Sequence, residues 1–150
     1  ELEYLPHFHS GDEPRVTLEY PMTLNPYRPG KYGSGSHGVL PWILQGIGLV
    51  ENVAWRSWAE INPDDAEQLK IRHLDWIWVE SAGGKLKVRA VVHPGTGPRV
   101  VNIPCGFGHT EMGRWGQGRG VNPLQLLVPE RDAHTGLPYR FATKVKIYKA

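Results

Sequence analysis

The sequence predicts a mainly β fold, a barrel that closes on itself or nearly so. Three observations carry that expectation. Apolar and polar residues alternate with a period of two in several short runs, which is the pattern of half-buried strands. The 18 glycines and 13 prolines among 150 residues call for many turns and few long helices. Short strands with one wet face leave unpaired edges in an open sheet, and closure removes those edges.

The elements follow in order. Residues 1–15 are mixed and polar and read as an N-terminal arm. Its His7 and His9 have no third metal ligand near them, so an arm packed on a neighbour is favoured over a metal site. Val16 to Asn25 reads as a strand, placed at an edge or broken by Pro21. Residues 26–38 form a long loop, of a length that is often functional, with Arg28, Ser36 and His37 as its polar candidates. Val39 to Val50 is apolar. Pro41 suits the first turn of a short helix that Gly46 and Gly48 would limit. Residues 53–61 alternate, with Val53, Trp55, Ser57, Ala59 and Ile61 on one side and Arg56, Trp58 and Glu60 on the other, and predict a strand. Asn62-Pro63-Asp64-Asp65 is a helix start: an N-cap, a proline at the first position and two acids at the positive end of the dipole. Capping explains that acid pair, which is therefore not read as catalytic. Asp75–Ser81, the turn 82–85 and Leu86–Val92 form a hairpin. Arg99–Pro104 is a strand, Leu124–Val128 a short apolar piece, and Phe141–Tyr148 a closing strand with clean alternation.

Composition bounds the function. Size fits one domain with a real core, and 40% hydrophobic with 21% charged residues excludes disorder. A net charge of +2 gives no nucleic-acid or membrane footprint, and no apolar run approaches the roughly 18 residues of a span. Cys105 is the single cysteine. It can make no internal disulfide and no cluster or zinc-thiolate site alone, and at a strand end it reads as a buried or inert thiol. Glu1-Leu2-Glu3-Tyr4 does not read as a signal peptide, and a processed or cut precursor stays open.

The strand at 99–104 delivers the chain into Gly106–Asn122, the most unusual stretch. Six of its seventeen residues are glycine, which disfavours a regular helix or a packed strand. Between them stand His109, Arg114, Gln117, Arg119 and Asn122. Glycine-rich backbone with such donors suits a flat polar ligand with phosphates, and an ordered surface loop is the equal alternative. The spacing matches neither a Walker A loop nor a Rossmann fingerprint.

The order of motifs resembles a known family. Tyr20-Pro21-Met22-Thr23-Leu24, a loop with Arg28, Leu40-Pro41-Trp42 and Ala59-Glu60-Ile61-Asn62-Pro63-Asp64-Asp65-Ala66 come first. Leu69-Lys70-Ile71, Asp75 to Ser81, Gly83-Gly84, Pro94-Gly95 and the run to Asn122 follow. Together these residues resemble the C-terminal domain of molybdopterin oxidoreductases of the dimethyl-sulfoxide-reductase family, closest to the polysulfide-reductase-like branch. The resemblance spans roughly residues 16–148. It implies a six-stranded double-psi β-barrel with short helices, a domain over 16–150 that covers a molybdopterin guanine dinucleotide. It also implies cofactor contacts from Arg28, Ser36, His37, His109, Arg114, Gln117, Arg119 and Asn122. Two family glycines are missing, near Lys70 and at Leu74. The metal ligand, the N-terminal iron–sulfur cysteines and the other cofactor domains of the enzyme are absent too, so the chain is expected to be inactive alone.

The implied partners are a larger molybdopterin-binding catalytic subunit or domains, with iron–sulfur and membrane subunits in some complexes. The implied place is the outer face of the cytoplasmic membrane or the periplasm. Two other roles stay open. One is a barrel with a vacant pterin site that serves as an assembly subunit of a quinone-linked respiratory complex. The other is a free-standing enzyme of the aspartate-decarboxylase-like group, which would need self-processing at Gly33-Ser34 or Gly35-Ser36.

Overall fold

The computed structural model describes residues 17–30, 36–46, 53–131, 136–138 and 143–150. Within them six strands close into a barrel in the order β1-β5-β2-β4-β3-β6. They are β1 (Met22–Tyr27), β2 (Trp58–Ile61), β3 (Trp76–Ser81), β4 (Gly84–Val92), β5 (Val100–Pro104) and β6 (Lys144–Lys149). Three short helices accompany them: α1 (Pro41–Gly46), α2 (Pro63–Gln68) and α3 (Gly113–Gly116). Single 3-10 turns lie at Ser36–Val39 and Pro123–Leu126. This is the mainly β, six-stranded double-psi barrel that the resemblance implies. The N-terminal arm, with His7 and His9, and the Gly33-Ser34 pair lie outside the described residues.

Two parallel pairs organise the barrel. β1 runs parallel to β5, with Tyr27 opposite Pro104, and β2 runs parallel to β4, with Ile61 opposite Val92. The two pairs meet antiparallel at Glu60 and Asn102. β3 joins β4 and β6 antiparallel, and β6 reaches β1 at Met22 and Thr23. So β1, β3 and β5 all finish at one end, called here the loop end, while β2 and β4 finish at the other, the cap end. Inward residues at every second position fill the barrel, among them Leu24, Ile61, Ile77, Val79, Val88, Val101, Ile103 and Val145. A second cluster, Ile43, Leu44, Val53, Trp58, Val91 and Phe107, seals the outer face of β2 and β4.

Several boundaries differ from expectation, each for a physical reason. The first strand starts after Pro21 and runs through Pro26. Alternation explains that tolerance. The Leu24 amide bonds the Thr143 carbonyl on the β6 side, while the Thr23 amide bonds Arg99 on the β5 side. Pro26 has the parity of Leu24, and β6 no longer pairs at its level, so the missing N–H costs no ladder bond. The strand predicted over 53–61 survives only as Trp58–Ile61, because Trp55 turns the chain at φ 69° and the Arg56 amide closes on the Val53 carbonyl. Trp58, on the strand's second face, is 3% exposed because the second cluster covers it. The piece at 124–128 is a 3-10 turn, and the last strand starts at Lys144. The glycine-rich run does hold one helical turn, α3, whose first residue, Gly113, supplies φ 63°.

The capped helix is as read. Asn62 Oδ1 accepts from the Asp64 amide at 2.9 Å, with Pro63 at the first position. The hairpin is present, with a tighter turn than expected: Ser81 faces Gly84 across Ala82-Gly83, so the second strand starts at Gly84 rather than Leu86.

Candidate functional site

The parallel β1/β5 pair builds the site. Because Tyr27 and Pro104 are in register, the loops that follow both strands leave from one point, and the Cys105 amide bonds the Tyr27 carbonyl at 2.8 Å. Arg28 is exposed there, close enough to act on Cys105. Burial pushes that thiol up from its ordinary value, and the Arg28 charge pulls it partly back. A raised thiol is a poor nucleophile at neutral pH, consistent with an inert cysteine.

The loop after β1 returns as the turn Ser36–Val39, which packs on the glycine-rich run after β5. Gly38 is buried so tightly against the Gly106 carbonyl that any side chain there would collide with it, and His109 Nε2 would lie 3.4 Å from its Cβ. Ser36 and His37 are exposed on this turn. His109 is half-buried, and its Nε2 is fully buried with no hydrogen-bond partner among the described residues. Such a nitrogen needs a partner, since an unmet buried polar atom costs about 1–3 kcal/mol.

The run then folds back on itself. His109 pairs with Gln117 as an isolated parallel bridge, and the His109 carbonyl accepts from the Gly118 amide at 3.0 Å. The Gly108 amide bonds the Arg119 carbonyl at 2.8 Å, and a Cβ on Gly108 would strike the Asn122 backbone nitrogen. Asn122 is half-buried and caps the next turn, its Oδ1 accepting from the Leu124 amide at 3.1 Å. Gln117 and Arg114 are exposed, and the Arg114 guanidinium lies 4.3 Å from the centre of the Trp115 ring. The Arg119 guanidinium lies 4.8 Å from the centre of the Trp55 ring.

The structure thus gathers the Ser36-His37 turn, His109, Gln117 and Asn122 along one packed seam, with Arg28 beside its root. Arg114 and Arg119 fan outward onto tryptophans. None of these arginines is in an ion pair among the described residues, so the loop end keeps its positive charge. Gly113 and Gly118 have φ of 63° and 67° and nothing within 4 Å of an added Cβ, which leaves backbone open to a ligand. An anionic, hydrogen-bonding ligand with flat rings fits this donor set. Among the described residues no group of three or more His, Cys, Asp or Glu could hold a metal. No described helix is long and apolar enough to cross a membrane.

Sequence reasoning missed a second feature. The other side of residues 118–121 faces a cavity of about 310 Å³ lined by Trp55, Arg56, Ser57, Trp76, Lys87 and Arg119 among others. Of these only Arg119 stood out beforehand. Trp76 and Lys87 are alternate outward residues of the hairpin, the one signal the sequence held.

A closed barrel with a glycine-rich cationic seam is the architecture of a domain that covers a dinucleotide. Residues 46–139 match the family described as the Molydopterin dinucleotide binding domain, and the chain belongs to that family. The cofactor that this family membership supports is molybdopterin guanine dinucleotide. The chain is 31% identical over 135 residues to a dopamine dehydroxylase of Eggerthella lenta, covering 88% of this chain and 13% of that protein. It is 28% identical over 130 residues to the molybdopterin-binding-like subunit of menaquinone reductase of Nitratidesulfovibrio vulgaris, covering 87% of this chain and 19% of that protein. In fold it resembles acetylene hydratase from Pelobacter acetylenicus, with a TM-score of 0.73 at 23% identity over 97% of this chain and 21% of that one. The chain therefore spans about a fifth or less of the length of these relatives.

Proposed function

We propose that the barrel, from residue 16 onward, is the cofactor-covering domain or separate subunit of a molybdopterin-dependent oxidoreductase. In this reading it works with a larger catalytic partner, and with iron–sulfur and membrane subunits where the complex is quinone-linked. The bound cofactor supplies the redox chemistry, and the protein binds and orients it. Arg28, Arg114 and Arg119 meet phosphates or ring oxygens. Gln117 and the Asn122 amide meet ring edges, and Ser36, His37 and His109 bond polar atoms of the pterin. The observation that carries this reading is the buried, unpartnered Nε2 of His109, set where the two loops of the parallel β1/β5 pair touch. The exposed Trp42, Met112, Trp115 and Leu124 supply apolar area for the rest of the enzyme to cover.

Native mass spectrometry of the complex purified from its source tests this. The expected result is a large partner carrying a pterin dinucleotide mass, with that mass lost or depleted in a His109→Phe variant whose barrel still folds. A stable complex with no pterin would instead indicate the assembly role.

A further inference from the structure

The cavity beside residues 118–121 exists because β4 is longer than its neighbour. β4 pairs with β3 from Gly84 to Arg89, while β2 meets it only from Arg89 to Val92. β2 leaves the loop-end half of β4, its upper half, uncovered; the turn Pro123–Leu126 packs on β4, and the segment Gly118–Val121, which the Ser57 hydroxyl pins in place, lines the cavity with Lys87 and Val88. That hydroxyl accepts from the Val121 amide at 2.8 Å and donates to the Val121 carbonyl at 3.2 Å. Arg56, Lys87 and Arg119 all face the resulting space, and no carboxylate lines it.

The geometry points to a second binding site here, for a phosphate-bearing ligand of the nucleotide class. It does not rest on the cofactor role, although Arg119 serves both. Three like charges around one cavity repel unless an anion sits among them, and none of the three is ion-paired among the described residues. Arg119 lines this space with its guanidinium over the Trp55 ring, and its Nε is buried without an acceptor among the described residues, so its hydrogen-bonding capacity is not spent on the protein. Three cations match a phosphomonoester dianion better than a single carboxylate. Trp55 and Trp76 line the same space, and Arg119 and Arg89 already lie 4.8 Å and 4.2 Å from their ring centres, so a ligand that engages these cations changes the surroundings of both indoles. About 310 Å³ is at the small end of ligand pockets and suits a mononucleotide.

The test uses AMP, adenosine and inorganic phosphate, titrated into the 150-residue chain and followed by the indole N–H signals of Trp55 and Trp76. AMP is expected to shift both signals, at least tenfold more tightly than adenosine, and to weaken as salt rises. Lys87→Gln and Arg119→Gln should each weaken AMP at least fivefold. Lys87 is exposed, so its variant carries the test even if Arg119→Gln fails to fold. His109→Phe should leave AMP binding unchanged. Absence of AMP-induced shifts at both rings overturns the site, as does adenosine binding equal to AMP. AMP binding that is lost in His109→Phe but kept in Lys87→Gln would move the ligand to the seam, overturning this inference while leaving the cofactor reading intact.

Discussion

At the cap end of the barrel most polar side chains are taken by backbone, with Thr96 Oγ1 the one buried there without a partner among the described residues. Asn62 accepts from the Asp64 amide and donates to the Thr96 carbonyl at 2.8 Å. Asp65 accepts from the Arg99 amide at 2.7 Å, and Asp75 from the Arg72 amide at 2.8 Å while it pairs with Lys149 at 2.9 Å. At the loop end Ser57, Ser81 and Asn122 bond backbone too, but there backbone is also packed against backbone through glycines, and His109 Nε2 and Arg119 Nε are buried without partners among the described residues. Side chains help finish the fold at both ends, and only the loop end adds missing side chains with charged or aromatic polar groups held unspent. Within the loop end the glycines themselves divide into those that allow close packing and those that leave backbone open.

The largest expected effect tests that division. Gly108→Ala places a Cβ on the Asn122 nitrogen and holds a φ of 78°, so overpacking and left-handed strain add. The loss should be about 3 kcal/mol or more. Gly118→Ala meets nothing within 4 Å and keeps only the strain of φ 67°, about 1–2 kcal/mol. Urea midpoints of the two variants measure the gap. Equal losses would mean that the seam is not packed as described.

A smaller pair compares the two asparagine caps. Asn62→Ala removes both a helix cap and the bond to Thr96, and should cost about 1–2 kcal/mol. Asn122→Ala removes a cap on a single 3-10 turn and should cost under about 1 kcal/mol. If Asn122 serves the cofactor, its variant should lose far more pterin in the complex than stability in the isolated chain. Comparable losses in both assays would make it a structural residue only.

The cap end was legible in the sequence because its chemistry is local. Asn62, Pro63 and Asp64 are neighbours, and their types state a helix start. Closure was legible from alternation, since Ile77 and Val79 point inward on β3 and Ile147 does so on β6. The site was legible only in part. That Gly38 touches Gly106 follows from the parallel register of β1 and β5, which no local pattern encodes. Arg56, Lys87 and Arg119 meet only because β2 stops short of the upper half of β4. Pro26 and Trp55 misled boundary placement because tolerance of the first and the φ of the second depend on what neighbouring segments leave open.

Acid should separate the ends as well. Asp75 sits below the ordinary aspartate value of 3.8, first through the Arg72 amide and then through Lys149. A depressed folded-state value means a contribution fully present above the unfolded value and lost as pH falls through the folded one. The Arg72 amide signal should therefore titrate with a midpoint under 3.8, and Asp75→Asn should abolish that step. Amides of the seam, at the other end of the barrel, should hold steady through that window. A seam that moves with the Arg72 step would couple the ends and break the comparison.

The smallest effect has the opposite sign and lies at the cap end. Lys70 and Leu74 occupy left-handed backbone, φ 55° and 68°, at the two places where the resembled family tends to carry glycine. Such a conformation costs an L-residue about 1–2 kcal/mol, while glycine costs roughly 0.5–1 kcal/mol in lost chain entropy. Lys70 is exposed, so Lys70→Gly gives up little contact and should raise stability by about 0.5 kcal/mol. Leu74 packs on the cluster of Ile43, Trp58 and Phe107, so Leu74→Gly loses burial that outweighs the relief and should destabilise. Thermal midpoints moving in opposite directions would show that the departures at these two turns differ in kind. The strain at Lys70 has no compensation in packing, and that at Leu74 is held by the cluster that also seats α1. If both variants lose stability, left-handed strain is not what these positions carry, and the cap end is tighter than its hydrogen bonds alone imply.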